Sequence, residues 1–237
     1  MTNEEMIKKF VQTDKIEESL EKYKEGYPVQ YIIGNVDFYG RIFEVNENVL
    51  IPRFETETLV EKTIKYVQEL NIKNVKIADL GTGSGCIGIT LKKEIDSEVS
   101  CFDISKEALS VAKKNAISNG VEINFIEHNI LNKIEGRYNV IVSNPPYIAK
   151  DEEIEKIVRE NEPHMALFAD ENGLEFYKKI ISYAKEVLDD KFLIAFEIGK
   201  NQGKEIESIA KDYFPKEKIT IEKDLCENDR YVFIKSE

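Results

Sequence analysis

The chain has 237 residues, enough for one domain of ordinary size with a small appendage. Hydrophobic residues make up 42% and charged residues 33%, a globular composition that excludes a disordered chain. Thirty-three Lys and Arg against 45 Asp and Glu leave a net charge of −12, which repels phosphate backbones at long range. That balance speaks against nonspecific nucleic-acid binding and suits a basic protein partner or a small cationic ligand. No apolar run approaches the roughly 20 residues of a membrane span. Met1 to Phe10 lacks a signal-peptide core, so a cytoplasmic location is expected. Three cysteines at 86, 101 and 226 form no CxxC pair and read as reduced, packing thiols. Two histidines, His128 and His164, do not build a metal site, and no metal is expected.

In chain order, residues 1–25 carry sparse apolar positions at helical spacing (Met6, Ile7, Phe10, Val11, Ile16, Leu20) and predict one or two short polar helices. Gly26 and Pro28 end them. Val36 to Val45 alternates like a β-hairpin turning near Gly40. Ile51-Pro52-Arg53 reads as a loop. Thr56 to Leu70 reads as a helix with Leu59, Val60, Ile64 and Val67 on one face.

From residue 75 the pattern alternates strand and helix. Strands are predicted at 75–80, 99–102, 123–126, 138–143 and 192–198, with helices at 87–93, 106–119, 173–188 and 204–213 between or after them. Ile219–Glu222 and Tyr231–Ile234 predict a terminal antiparallel hairpin. Repeated βα units imply an α/β fold, a Rossmann-like, mostly parallel seven-stranded sheet. The expected organisation is a short helical segment (1–27), a β-hairpin linker (28–54) and a main domain (55–237).

The first strand of this series ends in Asp79-Leu80-Gly81-Thr82-Gly83-Ser84-Gly85. Glycines let a backbone turn sharply and let a ligand approach without a Cβ clash. A ligand there would lie at a helix N-terminus, beyond the carboxyl end of the strand. Gly83, Gly85 and Gly88 satisfy a dinucleotide pattern, which by itself says no more than a nucleotide-like cofactor; a tight turn without a ligand is the alternative. Asp103 closes the next strand and can accept both hydroxyls of a ribose, or simply cap the following helix, although Ser105 already supplies a cap. Asp79 separates NAD from S-adenosylmethionine. An acid before the turn suits a cofactor with an ammonium and a sulfonium, whereas it would repel a pyrophosphate.

The strand 138–143 runs into Asn144-Pro145-Pro146-Tyr147. Two prolines cannot continue a central strand and make a stiff loop at the carboxyl edge of the sheet. A planar –NH2 group needs two acceptors in its plane. The Asn144 side-chain oxygen and the Pro145 carbonyl can supply them, and Tyr147 can stack on the flat group. A rigid loop without chemistry is the alternative reading.

These segments resemble class I S-adenosylmethionine-dependent methyltransferases acting on a planar nitrogen. More of the chain is similar to the HemK/PrmC glutamine methyltransferases of peptide-chain release factors. The likeness lies in Pro28-Val29-Gln30-Tyr31-Ile32-Ile33-Gly34, Leu50-Ile51-Pro52-Arg53-Phe54-Glu55-Thr56-Glu57, Val142–Ile148, Glu162-Pro163 with Ala166-Leu167, and Glu197-Ile198-Gly199 with Gln202-Gly203. The resemblance implies methyl transfer to the side-chain amide of the glutamine in a Gly-Gly-Gln loop. Gly81 to Gly85 would wrap the methionine part of the cofactor, Asp103 its ribose, and Asn129, where the family has an Asp, its adenine. Asn144, Pro145, Pro146 and Tyr147 would hold the glutamine. Arg53, Glu55 and Thr56 fall in a family segment near the pocket. A longer helical N-terminal domain is also implied; here residues 1–27 precede the matching part.

A monomer acting on release factors, without nucleic acid or membrane, is the expected arrangement. A nucleic-acid amino-methyltransferase using the same Asn-Pro-Pro-Tyr clamp is the main alternative, although residues 148–170 carry seven Asp or Glu. An NAD-dependent oxidoreductase would have no use for that clamp, and a noncatalytic module would not need it.

Overall fold

A computed structural model describes residues 1–236. The chain begins with helices α1 (Asn3–Phe10), α2 (Ile16–Lys24) and α3 (Val29–Ile33). Thr2 caps α1 through a reciprocal pair with Glu5. A hairpin of β1 (Asn35–Phe38) and β2 (Arg41–Glu44) follows, turning at Tyr39 and Gly40, both at positive φ. Helix α4 (Phe54–Leu70) then leads into β3 (Val75–Leu80), α5 (Cys86–Glu94), β4 (Ser97–Asp103), α6 (Lys106–Ser118), β5 (Asn124–Glu127) and β6 (Tyr138–Ser143).

The acidic stretch after β6, for which no element is predicted above, contains β7 (Ile148–Ala149), α7 (Lys156–Asn161), α8 (His164–Leu167) and β8 (Phe168–Ala169); β7 and β8 pair in parallel. A single turn, α9 (Asp170–Gly173), precedes α10 (Glu175–Val187), β9 (Leu188–Glu197), α11 (Gly203–Tyr213), β10 (Lys218–Lys223) and β11 (Asp229–Lys235).

Seven strands form one sheet in the order β10-β11-β9-β6-β3-β4-β5. All neighbours are parallel except the pairs made by β11, which runs antiparallel to both β9 and β10. The expected Rossmann-like sheet with a terminal hairpin is therefore present. Strand β9 begins four residues before its predicted start, because the polar Asp189, Asp190 and Lys191 lie at a register shift against β6 and hide the alternation. The residues of α3 also lack a helix in the sequence reading. Five residues are too few to display a period.

Period-two alternation places successive residues on opposite faces. Ile141, Ile194 and Val232 pack with Tyr177, Ile180, Ile206 and Ala210 under α10 and α11. Val140, Val142, Leu193 and Phe233 pack with Leu59, Val60 and Ile89 under α4 and α5, joined there by Phe38 and Phe43 of the hairpin. The segment 28–54 is tied to this body by a third cluster, in which Tyr31, Val45, Val49 and Ile51 meet Ala108 and Val111 of α6. Among the described residues no helix is long and apolar enough to cross a membrane, and no group of side chains is arranged to hold a metal.

Candidate active site

From β3 the chain winds outward through β4 and β5, then returns to the other side of β3 as β6. The carboxyl ends of β3 and β6 thus flank the topological switch point, where open α/β sheets bind ligands. Ser143 Oγ donates to the Leu80 carbonyl at 2.6 Å and pins the two strand ends together. A cavity of about 310 Å³ opens there, within the roughly 300–1,000 Å³ of small-molecule sites.

Its wall on one side is the turn after β3. Gly81, Gly83 and Gly85 have φ of 74°, 53° and 82°, values an L side chain adopts only with strain. Gly88, in the helix that follows, has no room for a side chain either: a Cβ would sit 2.4 Å from Cys101 Sγ and 2.9 Å from Asp79 Oδ2. That close approach lets Gly88 N–H donate to Asp79 Oδ2 at 3.0 Å, beside the Thr82 hydroxyl at 2.6 Å. Asp79 is wholly buried, which pushes its carboxyl up to about 6 against those two hydrogen bonds. Its Oδ1 has no partner among the described residues.

Asp103 lines the cavity and accepts from Gly83 N and Ser105 N, both at 2.9 Å. Burial raises its pKa, with those backbone donors opposing. Two carboxylate oxygens offer about four lone-pair sites, so capacity remains. Ser105 caps α6 by accepting from Ala108 N. Asn129 also lines the cavity and caps its own turn, its Oδ1 accepting from Leu131 N at 3.0 Å. Apolar neighbours Ile104, Ala108, Ile130 and Leu131 complete this end.

The facing wall is the loop after β6. Asn144 and Pro146 line the cavity, together with Pro52, Arg53 and Thr56 from the start of α4. Asn144 Nδ2 donates to Thr56 Oγ1 at 3.2 Å, and Thr56 Oγ1 donates to Glu197 Oε2 at 2.7 Å. Arg53 pairs with the buried Glu162 at 2.5 Å, and Glu162 also accepts from Ile51 N at 3.1 Å. The loop is held from beneath by Gln202, whose amide donates to the Tyr147 carbonyl at 2.9 Å while its oxygen accepts from Gly199 N. Gly173 (φ 82°) presses on the same carbonyl; a Cβ there would lie 2.1 Å from it. Burial pushes the Tyr147 hydroxyl up to about 12.

Of the residues singled out from sequence, Gly81, Thr82, Gly83, Ser84, Asp103, Asn129, Asn144 and Pro146 meet on one cavity. Asp79, Gly85, Pro145 and Tyr147 are not among the residues that line it; Pro145 falls between two that do, Asn144 and Pro146. Asn115 is a further residue of consequence. Fully buried in α6, it donates to the Ser84 and Glu44 carbonyls and accepts from Glu44 N, fastening the hairpin to the glycine turn. A polar residue on the apolar face of a predicted helix is the signal that marks it. Glu197 and Gln202 belong to segments with a family resemblance, yet nothing local in the sequence says what they touch.

Residues 56–166 match the family model of the methyltransferase small domain. The chain is 46% identical over 216 residues to the release factor glutamine methyltransferase of Flavobacterium psychrophilum, covering 88% of this chain and 75% of that relative. To the enzyme of the same name from Bacillus cereus it is 39% identical over 227 residues, covering 93% and 80%. A solved structure of the release factor-specific protein-(glutamine-N5) methyltransferase from Alicyclobacillus acidocaldarius matches with a TM-score of 0.52 and 26% identity over 82% of this chain and 99% of that one. Likeness of this extent, on a sheet whose switch point carries both the glycine turn and the Asn144 loop, makes the chain a member of the release factor glutamine methyltransferase family.

Proposed function

We propose that the cavity at the switch point is where this enzyme methylates the side-chain amide nitrogen of a glutamine in a peptide-chain release factor, the glutamine of a Gly-Gly-Gln loop. The observation that carries this reading is the placement of Asn144. It is a hydrogen-bonded amide on a stiff loop, on the wall opposite the glycine turn. The residues present fit S-adenosylmethionine. Asp79 Oδ1 is an orphaned buried acceptor behind the glycine turn, Asp103 keeps free lone pairs for ribose hydroxyls, and Ile104, Ala108, Ile130 and Asn129 offer a slot for a flat base.

When bound, S-adenosylmethionine supplies an activated methyl, whose C–S bond breaks as the C–N bond forms, leaving S-adenosylhomocysteine. Every other contribution comes from the chain. An amide nitrogen is a weak nucleophile because its lone pair is delocalised. Accepting its two N–H bonds at Asn144 Oδ1 and the Pro145 carbonyl fixes its plane and raises its electron density. These acceptors gain as positive charge develops on the nitrogen, so they favour the transition state over the ground state. Holding the nitrogen in line with the methyl supplies the remainder. The methylated nitrogen is acidic and loses one proton to water, so no general base is needed. On this reading the enzyme works as a cytoplasmic monomer on a protein substrate, with 55–237 as its catalytic unit.

Incubation with labelled S-adenosylmethionine and a purified release factor, followed by peptide mass spectrometry, tests the proposal. One methyl on the loop glutamine is expected, and none on a partner carrying Ala at that position. Label on RNA or DNA instead would overturn it.

A further inference from the structure

A side-chain amide has two ends, and only one serves a substrate –NH2. If Asn144 holds the glutamine nitrogen as proposed above, its Oδ1 must face the cavity and its NH2 must face the protein. The two ends have nearly the same shape, so packing does not choose between them. Hydrogen bonding does. The carboxylate of Glu197 only accepts, so the single hydroxyl proton of Thr56 goes to it across 2.7 Å. Thr56 Oγ1 then presents only lone pairs to Asn144, 3.2 Å away, and the amide must turn its NH2 group towards it. No donor among the described residues reaches Asn144 Oδ1, which is left for the cavity that Asn144 and Thr56 both line.

The link is shielded from water, with Thr56 2% and Glu197 1% exposed. It joins three elements, the first turn of α4, the end of β9 and the loop after β6. We propose that Glu197 is a positioning residue for the methyl transfer, acting through Thr56 to hold the Asn144 amide with its oxygen towards the substrate nitrogen.

The charge on Glu197 matters to this role. Facing it are Arg53, Glu55 and Thr56 from the start of α4, Cys86 of α5, Tyr147 from the loop, Tyr177 of α10 and Arg230 and Tyr231 of β11. Arg230 is spent on Asp224 and the Ile198 carbonyl, and the Tyr177 hydroxyl donates to the Glu197 main-chain oxygen. No side-chain cation pairs directly with the Glu197 carboxylate among the described residues. Burial pushes the carboxyl up to about 7, with the Thr56 hydrogen bond and Arg230 opposing. Once protonated, it can donate to Thr56. The Thr56 proton is then free to point at Asn144, and the amide can turn over. Turnover should therefore fall as pH drops through about 7.

The test is kcat and KM between pH 6 and 8.5 for the wild type, Thr56→Val, Thr56→Ser and Glu197→Gln. Substrates are S-adenosylmethionine and a purified release factor, with Asn144→Ala as reference and melting temperatures for all. Thr56→Val should lower kcat by roughly 10-fold or more, the scale of one lost hydrogen bond to a charged network, without raising KM for S-adenosylmethionine. Thr56→Ser should restore most of kcat. Glu197→Gln should lower kcat and lose the limb near pH 7. In the free enzyme, the Asn144 side-chain NH2 should be protected from hydrogen exchange in the wild type and unprotected in Thr56→Val. Lowered melting temperatures with unchanged kcat, or a pH limb that survives in Glu197→Gln, would overturn the role. Should Thr56→Val fold poorly, the Glu197→Gln profile decides by itself. If Thr56→Val keeps full kcat while Asn144→Ala loses it, the relay is wrong and the Asn144 assignment survives; if neither loses it, both fall.

Discussion

The two walls of the cavity are built differently. In the turn after β3, Asp79 is held by Thr82 and Gly88, three and nine residues away, and Gly83 reaches Asp103 across 20. In the loop after β6, Asn144 is held by Thr56 across 88 residues and the Tyr147 carbonyl by Gln202 across 55. The first wall is built from consecutive elements, with β3, α5, β4 and α6 supplying or fastening it within about 40 residues of chain. The second exists only when α4, β9 and the turn before α10 have all docked. Cofactor binding and substrate positioning should therefore separate under mutation.

The sharpest separation is expected at Asn144. Asn144→Ala should cut turnover by at least ~100-fold, the order for a lost transition-state hydrogen bond, with cofactor affinity by calorimetry nearly intact. Unchanged turnover in the methylation assay would remove Asn144 from the chemistry. Gly173→Ala strikes the same wall from beneath. Forcing a side chain into a left-handed position against the Tyr147 carbonyl should cost about 1–3 kcal/mol in urea unfolding and slow turnover while sparing cofactor affinity. A loss of cofactor affinity equal to the loss of turnover would show the walls to be one unit.

Asp103→Ala addresses the other wall. It should weaken S-adenosylmethionine binding roughly tenfold, about one charge-assisted hydrogen bond, and equal affinities in a titration would overturn its assignment to the ribose. The last prediction concerns Asp79. Its carboxyl moves from 3.8 to about 6 on folding, so between those values the folded state binds more protons than the unfolded one. Its contribution to stability therefore declines as pH rises through that window. In thermal melts from pH 4 to 7 the stability of the wild type relative to Asp79→Asn should fall as pH rises; parallel curves would contradict the shift.

The same contrast explains what was legible beforehand. The strands at Val75–Leu80 and Tyr138–Ser143 are visible as apolar runs that stop at glycine or proline, and both stand in the sheet with those limits. The glycine turn and the Asn144 loop announce themselves because glycine frees and proline fixes the backbone in ways other residues do not. Thr56 was recognisable only as a neighbour of the pocket, and Glu197 not at all as a partner for it. The helix over Val29–Ile33 and the β7–β8 pair also escaped, being too short for any period to emerge.

Hydrophobic periodicity, the two punctuating motifs and the resemblance they carry were enough to determine the sheet, its order of βα units and the kind of reaction. Local sequence is sufficient for these because a strand or a tight turn depends on its own few residues. Which end of the Asn144 amide faces the cavity, what supports Tyr147 and how Arg53 is anchored on Glu162 were decided only by the tertiary structure. Each depends on a buried hydrogen bond between segments far apart in the chain, and such bonds leave no spacing to read.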